Sequence, residues 1–538
     1  MRLSDLVHGL DIHLCGEAGL SATLPGDVAL TRICDITEDS RTVLPGSLFI
    51  ARSGLKTDGK QFAKAAVDAG AAAILTDDAS MRTHIHAVPV LLAKDILLAS
   101  SLLAERFYGD AAKDLHLIGV TGTNGKTTTT FLCWQLLNRV GTRCGLIGTV
   151  IIDDGVEVAA ANMTTPPAIE ISRSIARMRE CACQAAALEV SSHALDQKRA
   201  DALRFKAAVF SNLTGDHLDY HGTMENYASA KARLFSLLRE DGVAIVNALD
   251  PWSQRMVRDC KARVIRAGVI EPGVKPTTPL DATCQVTSHD MSGMGLTLTG
   301  PWGTFTAKTS LVGLYNAFNI LAAVCSTHAL GVSRDTIASG IAHLTAPPGR
   351  LERVTAVDAP FSVFVDYAHS DDSLRNVLRA VGSVMPNRIK PGALVGNAAG
   401  ATHPPQPGAK LWCVFGCGGD RDRTKRPRMG LAASELADMV VVTSDNPRTE
   451  RPSDIVDQIL AGVPANKRDA LLVQVDRERA IDAAIANARE GDVIIIAGKG
   501  HETEQILPDG KGGTIRTHFD DREVAREALT RRGVAVLT

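Results

Sequence analysis

Three times in its last third the chain runs an apolar strand straight into a glycine-rich or charged loop. LWCVFG leads into CGGDRDRTKR, MVVVTS into DNPRTERP, and DVIIIA into GKGHETEQ. Unbroken apolar runs of this length suit strands buried on both faces. Short β-branched runs followed by Ala/Leu-rich helical stretches recur along the whole sequence, which predicts α/β architecture with parallel sheets. Parallel sheets bind ligands outside the carboxyl ends of their strands, so these three loops are candidate site loops.

At 538 residues the chain exceeds one hydrophobic core. In the first segment SLFIA (47–51), AAAILT (71–76) and AVPVLLA (87–93) are strand candidates, and FAKAAVDAG is a predicted helix. The polar ERFYGDAAKDL near 105 suits a linker. A second series opens with LHLIGVT and continues through CGLIGTV, AALEV, KAAVFSN and GVAIVN to the helical NAFNILAAVCSTHALG. Pro-Pro-Gly in TAPPGRLERV (345–354) marks a second boundary. The expected domains are a small α/β N-terminal domain (1–108), a central P-loop-type domain with a mostly parallel sheet (109–346), and a C-terminal Rossmann-like domain (347–538). The Gly/Pro/Ala-rich stretch 387–410 reads as an inserted, disordered surface loop.

Composition narrows the function classes. With 45% hydrophobic and 22% charged residues the chain is an ordinary globular protein. A net charge of −2 without a long basic run argues against nucleic acid as the main partner. No stretch approaches the ~20 apolar residues of a membrane helix. The first residues, interrupted by Asp5, His8 and Asp11, do not read as a signal peptide. Cys181 with Cys183, and Cys413 with Cys417, lack a second pair at metal-site spacing. Buried free thiols in a reducing compartment, the cytoplasm, are therefore expected.

The strongest local motif is VTGTNGKTTTT (120–130). Strand LIGVT, a glycine loop, Gly-Lys-Thr and the helical KTTTTFLCWQLLNRVG would aim backbone N–H groups and a helix N-terminus at phosphate. Lys126 would reach the outer phosphates and the Thr127 hydroxyl would bind Mg²⁺. The spacing departs from the common loop: five residues, Val120 to Asn124, separate Gly119 from Gly125 instead of four. By itself the stretch leaves open a glycine turn with a solvated lysine.

Downstream, Glu189 ends an apolar strand where a second Mg²⁺ ligand would sit, although taken alone it reads better as a cap or surface acid. VFSNLTGDHLDYHG ends a strand in Asn212, Asp216, His217 and Asp219, a polar density that packing does not explain.

Together these residues resemble the Mur ligase family, ATP-dependent enzymes that build the stem peptide of peptidoglycan. GTNGKT is similar to that family's phosphate loop, which accounts for the extra residue. EVSSHAL and NLTGDHLDYHG are similar to its magnesium-binding segments, and ENYASAKARLF to the stretch holding a lysine that becomes carbamylated. The resemblance spans nearly the whole chain. It implies that Gly122, Thr123, Asn124, Gly125, Lys126, Thr127, Thr128 and Asn212 bind ATP. Arg350 of PPGRLERV, with Asp366 and His369 of DYAH, would lie near the nucleotide. It further implies two Mg²⁺ ions with Thr127, Glu189 and His217 as ligands, and N6-carboxylysine at Lys231. Lys126, Glu189, His217 and Lys231 form the implied catalytic set.

Within the family the resemblance is to the branch that joins meso-diaminopimelate to UDP-N-acetylmuramoyl-L-alanyl-D-glutamate through an acyl phosphate. The implied contacts to the uridine-nucleotide peptide are Ser40 in DSRTVLPGSLFIA, Thr164 and Thr165 in NMTTPP, Ser191 in EVSSHAL, and Gln197 and Arg199 in LDQKR. Asp445, Asn446 and Arg448 of DNPR would read the incoming amino acid, with Arg421, Gly498 and Glu502 completing the pocket. The chemistry agrees: meso-diaminopimelate carries a second ammonium–carboxylate head where lysine has only an ammonium. A guanidinium fork binds that carboxylate in bidentate fashion.

The implied partners are small molecules, with no nucleic acid and no membrane. Sequence does not set the oligomeric state, and a monomer is the expectation. ATP on the central domain and the amino acid on the last imply closure about the Pro-rich boundary. A lysine-adding relative, a folylpolyglutamate synthetase and a regulator that keeps the loop without chemistry are the alternatives. DNPR and the uridine-type N-terminal segment speak against the first two, and the joint presence of Glu189, His217, Lys231 and Arg448 against the third. Two departures stand out. Asp371 replaces the family's proline after DYAH, which predicts a looser loop, and Leu55 replaces a histidine before Asp58-Gly59.

Overall fold

The computed structural model describes residues 1–16, 19–54, 57–271, 278–385, 388 and 408–537. Leu55 and nearly all of the 387–410 stretch therefore lie outside the described residues. The chain forms two compact units. The first comprises Met1–Gly268, Thr277–Ala282 and Ala322–Ile337; the second comprises Val269–Pro276, Thr283–Leu321 and Ala338–Thr538.

The first unit holds two sheets. The N-terminal one has the strand order Gly19–Ser21, His13–Gly16, Val90–Leu92, Ala73–Thr76, Ser47–Ala51, Asp35–Thr37. Its last four strands run parallel. Their side chains alternate between two cores, as the two-residue period requires. Leu48, Ile50, Leu75 and Leu91 face one side, and Phe49, Ala51, Ile74 and Val90 the other. All three expected strands are present, each starting at or inside its sequence bounds, and the expected helix spans Ala63–Asp68.

The central sheet of this unit places Cys144–Ile147, Ala185–Glu189, His116–Thr121, Phe205–Phe210, Leu238–Asn247 and Arg263–Ile270 side by side, all parallel. Ile151–Asp153 and Val158–Ala160 extend its first edge antiparallel. The glycine loop follows His116–Thr121, flanked by Ala185–Glu189 and Phe205–Phe210. Three strand ends thus open on one place.

The stretch near 105 is not a polar linker. Helix Ile96–Phe107 runs through it, and Ala111–Asp114 forms a 3₁₀ turn. Glu105 is buried, accepting from Ala112 N–H (2.7 Å) and Ser172 Oγ (2.8 Å). An acid satisfied by distant partners looks solvated in sequence and is not.

In the second unit Ser362–Asp366, Val493–Ala497, Leu411–Phe415, Met439–Val442 and Leu471–Val473 form a parallel sheet, with Glu352–Arg353 antiparallel at its edge. Phe364, Phe415, Val442 and Ile495 pack on one face, and Val365, Val414, Val441 and Ile496 on the other. The three sheets give the expected class: α/β, with a small N-terminal sheet, a central mostly parallel sheet and a C-terminal Rossmann-like sheet. A meander of Ala282–Asp290, Gly293–Gly300 and Gly303–Thr309, and a hairpin of Glu504–Pro508 and Thr514–His518, complete the described strands.

The loop after DYAH is better anchored than its lost proline suggests. Ser370 caps helix Asp371–Gly382 in a reciprocal capping box with Ser373. Asp371 stands in the first turn, where an acid complements the helix dipole.

Candidate active site

The glycine loop is stitched to the neighbouring strand end. Thr123 N–H donates to Asn212 O (2.8 Å) and Asn124 N–H to Asn212 Oδ1 (2.9 Å), while Asn212 Nδ2 and Ser211 Oγ donate to Asn124 O (3.0 and 2.5 Å). Gly122 has φ 148°, and a Cβ there would stand 1.9 Å from Ser211 Oγ. Gly125 adopts φ 85° just before helix Lys126–Arg139. The loop is an open cradle that only glycine at 122 leaves clear. Lys126 Nζ folds back onto Gly122 O (3.0 Å) and Thr123 O (2.9 Å). Thr128 is buried in the helix's first turn.

Glu189 is 1% exposed at the end of its strand. Its Oε2 accepts the hydroxyls of Thr127 (3.0 Å) and Thr149 (3.0 Å), and its Oε1 accepts Thr149 N–H (2.6 Å). Thr164 Oγ1 joins through Thr149 Oγ1 (3.1 Å). Thr165 Oγ1 donates to Glu189 O (2.8 Å) and accepts Ser191 N–H (3.0 Å). The set Thr127, Glu189, Thr164, Thr165 and Ser191 is thus one network. Its hydroxyl and carboxylate oxygens are hard donors of the kind Mg²⁺ takes.

Lys231, on helix Met224–Ser236, is 1% exposed. Its Nζ donates to Gly122 O (2.8 Å) and lies 4.5 Å from the centre of the Tyr227 ring. Burial, helped by Lys126, pushes its pKa well below the usual lysine value. His217 is exposed, at φ 54°, with Nε2 3.5 Å from Asp216 Oδ2 and its ring edge-on to His193. Among the described residues no group of three or more His, Cys, Asp or Glu is arranged to hold a metal ion.

Of the other residues expected to touch the uridine-nucleotide peptide, Arg199 donates to Thr165 O (2.6 Å) and to Gln197 Oε1 (2.8 Å). Ser40 opens the 3₁₀ turn Ser40–Thr42, which Asp39 caps.

In the second unit the residues expected to read the amino acid sit on the loops after strands. Asn446 Nδ2 donates to Glu502 Oε2 (2.7 Å), and Asn446 Oδ1 accepts Ile506 N–H (3.0 Å). Arg448 holds φ 51° and donates through Nη1 to Gly419 O (2.7 Å). Gly418 separates it from Arg421: a Cβ there would lie 3.0 Å from Arg448 Nη1 and 3.8 Å from Arg421 Cγ. Gly498, at φ 120°, would carry a Cβ 3.6 Å from Asp445 Oδ2. Among the described residues Asp445 Oδ1 is buried without a hydrogen-bond partner. Two guanidiniums and two carboxylates therefore border one loop cluster. Burial and Asp445 raise the pKa of Glu502, against the pull of Lys499.

Asp366 is the acceptor that fixes its own loop, taking Leu351 N–H (2.7 Å) and Ala368 N–H (2.8 Å). Arg350 lies over the Tyr367 ring at 4.4 Å, and His369 and His501 contact the same ring. Burial and Arg350 hold His501 at a pKa of about 4, a neutral imidazole.

Sequence reasoning did not single out Thr149, Ser211, Tyr367, Lys499 or Arg477. Arg477 is fully buried against Asp521 (2.7 Å) and donates to the carbonyls of Ser444 and Ala497. The signal for Thr149 was present: CGLIGTV is another strand that empties into a glycine.

Family models match residues 32–100 ("Mur ligase family, catalytic domain"), 120–327 ("Mur ligase middle domain") and 391–500 ("Mur ligase, glutamate ligase domain"). The chain is 45% identical over 500 residues to the UDP-N-acetylmuramoyl-L-alanyl-D-glutamate–2,6-diaminopimelate ligase of Gloeobacter violaceus, covering 93% of this chain and 94% of that protein. The protein of the same name from Synechococcus elongatus is 41% identical, at 94% and 95% coverage. A solved structure of a UDP-N-acetylmuramoyl-L-alanyl-D-glutamate–2,6-diaminopimelate ligase matches with a TM-score of 0.67 and 29% identity over 99% of both chains. MurF from Thermotoga maritima, solved with ADP, shares the fold at a TM-score of 0.60 and 18% identity, covering 93% of this chain and 99% of that one.

Proposed function

The chain belongs to the Mur ligase family, and we propose that it joins meso-2,6-diaminopimelate to UDP-N-acetylmuramoyl-L-alanyl-D-glutamate while converting ATP to ADP and phosphate. One observation carries the choice of amino acid: Arg448 and Arg421 flank Gly418 in the same loop cluster as Asn446 and Glu502. A pocket with paired guanidiniums and a carboxylate matches a head group bearing both a carboxylate and an ammonium. Lysine would offer the guanidiniums no distal carboxylate. The relatives named as diaminopimelate ligases support the same reading.

In this reading the functional division is 1–108 for the uridine nucleotide, 109–346 for ATP and 347–538 for the amino acid. Ser40, Thr164, Thr165, Ser191, Gln197 and Arg199 contact the uridine-nucleotide peptide. The cradle of Gly122 to Thr128, with Asn212, takes the ATP phosphates, and Arg350, Asp366 and His369 serve the nucleotide from the second unit. The protein works as a cytoplasmic monomer.

A carboxylate is a poor electrophile, so the glutamate carboxylate attacks the γ-phosphorus and ADP departs with the bridging oxygen. The acyl phosphate now carries a leaving group. The diaminopimelate amine adds to its carbonyl carbon, loses a proton, and the C–O bond to phosphate breaks as the amide forms. Charge crowding is the obstacle, because a carboxylate must approach a triphosphate. Lys126, already at the mouth of the cradle, supplies one cation. Thr127 and Glu189 would hold one Mg²⁺ and His217 would serve a second, which supply the remaining positive charge when bound.

Lys231 is carbamylated in this reading. A buried amine with a depressed pKa is neutral and nucleophilic; its nitrogen bonds to the carbon of CO₂ and one proton leaves. The product is an anion that attracts a cation the ammonium would repel.

The test is phosphate release from ATP with UDP-MurNAc-dipeptide and either meso-diaminopimelate or lysine. Turnover with meso-diaminopimelate is expected; strong turnover with lysine alone would overturn the reading.

A further inference from the structure

Lys499 lies beside the amino-acid loops, yet nothing of its side chain reaches solvent. Its Nζ donates to Glu504 O (2.6 Å), Asn446 Oδ1 (3.2 Å) and Glu502 Oε2 (3.3 Å). An ammonium has three N–H donors, and all three are used inside the chain. No donor is left for a ligand. Gly498 and Gly500, both at positive φ, bracket it and let the chain turn sharply on either side.

These bonds decide how two other side chains stand. Asn446 Oδ1 accepts from both Lys499 and Ile506 N–H, so its two lone pairs are occupied. The amide can then point only one way, with Nδ2 toward Glu502 (2.7 Å). One Nδ2 hydrogen remains for a ligand. Glu502 receives both Asn446 and Lys499 on Oε2. None of these bonds uses Oε1, which is the oxygen left to meet a substrate ammonium. Without Lys499 only Ile506 N–H holds the oxygen of the Asn446 amide, and Glu502 keeps the neighbouring Asp445 charge while losing the cation bonded to it.

We infer that Lys499 is a positioning residue for amino-acid recognition, fixing the amide of Asn446 and the free oxygen of Glu502 without itself touching the substrate. This rests on the diaminopimelate reading above. It also explains why a lysine occupies a site closed to solvent: an apolar residue there would take one donor each from Glu504 O, Asn446 Oδ1 and Glu502 Oε2.

The test is steady-state kinetics of the full chain and its K499M variant, varying each substrate in turn. In K499M the KM for meso-diaminopimelate should rise about tenfold or more, the size of a lost bond to a charged group. The KM values for ATP and the UDP-MurNAc-dipeptide should stay within about twofold. The acid limb of kcat/KM for meso-diaminopimelate should move to higher pH, because Glu502, with Asp445 and Tyr367 beside it, loses Lys499 and keeps Arg477 as the cation favouring its ionised form. A merely structural lysine would lower thermal stability and kcat/KM for all three substrates together, with no shift of the acid limb. K499R, which keeps the charge, should retain the wild-type acid limb. An unchanged KM and acid limb in a folded K499M, with wild type active on meso-diaminopimelate, would overturn this inference alone. Wild type inactive on meso-diaminopimelate but active on lysine would overturn the functional reading and this inference with it.

Discussion

Lys126 and Lys231 donate to the same acceptor, the carbonyl oxygen of Gly122, at 3.0 and 2.8 Å. Two ammoniums sharing one oxygen repel each other, and the pair is relieved when one loses its proton. Lys231 is the one that must, since it is buried while Lys126 borders the open cradle. The place where the glycine loop begins is therefore wired directly to the lysine proposed to react with CO₂.

That wiring makes Lys231 the most informative single substitution. K231A should lower kcat by about a hundredfold or more, the scale of a lost electrostatic group at a reacting centre. Short carboxylic acids such as acetate or propionate should restore part of it by filling the space with an anion. Phosphate-release rates measured with and without the acid decide the matter, and full activity in the unrescued variant would remove Lys231 from the mechanism.

The same residue sets a pH dependence of stability. Its folded pKa lies well below its unfolded value, so the unfolded chain binds more protons between the two. Unfolding free energy then rises with pH across that window, up to the unfolded lysine value of about 10.4. Urea unfolding of unmodified protein, followed from about pH 7 to 10, should show a positive slope that K231M reduces. Equal slopes in the two proteins would mean that the amine is charged when folded.

Much of this site was readable because it is written locally. The run from Gly122 to Thr127 keeps fixed spacing between a strand and a helix, and Glu189 and Asn212 each end an apolar run. The strand-end loops of the second unit were readable for the same reason. What escaped depends on which strands become neighbours. Thr149 matters only because Cys144–Ile147 lies beside Ala185–Glu189, and Ser211 only because Phe205–Phe210 lies beside the loop strand. Lys499 reads as a surface lysine until Asn446, 53 positions away, is folded against it. Glu105 misled for the opposite reason, its partners being a backbone N–H and Ser172 across a helix pair.

Gly122 offers a steric test of the cradle. Its φ of 148° falls outside ordinary L-residue space, and a methyl would stand 1.9 Å from Ser211 Oγ. Gly141, at φ 86° with no described residue within 4 Å of its Cβ position, carries backbone strain without the clash. G141A should cost about 1 kcal/mol of stability and leave the KM for ATP unchanged. G122A should raise the KM for ATP by about tenfold or more as the Ser211–Asn124 contact is pushed apart. Equal KM values in the two variants would rule out the cradle as the phosphate site.

Thr149 donates twice to Glu189, through its backbone and its hydroxyl. T149A removes only the hydroxyl bond, and the carboxylate keeps Thr127 and the amide. Stability should fall by about 1 kcal/mol, read as a lowered midpoint in thermal unfolding. Glu189 also becomes freer to rotate, so the Mg²⁺ concentration for half-maximal activity should rise several-fold. T149S should restore both values; failure of T149S would show that the methyl, not the hydroxyl, is what matters.

Arg448 carries the proposed choice between two amino acids. Its Nη1 is anchored on Gly419 O at 2.7 Å, which holds the guanidinium plane in place at little further entropic cost. R448A should raise the KM for meso-diaminopimelate about 10- to 100-fold, the value of a lost bidentate bond to a carboxylate. R448K keeps the charge but loses the planar fork, so it should recover only a small part of that loss. Lysine as substrate has no distal carboxylate and should be used no worse by R448A than by wild type. The ratio of kcat/KM for the two amino acids should therefore narrow in both variants. Parallel losses on both substrates would assign Arg448 to the loop's structure, leaving the distal carboxylate to be read by another group.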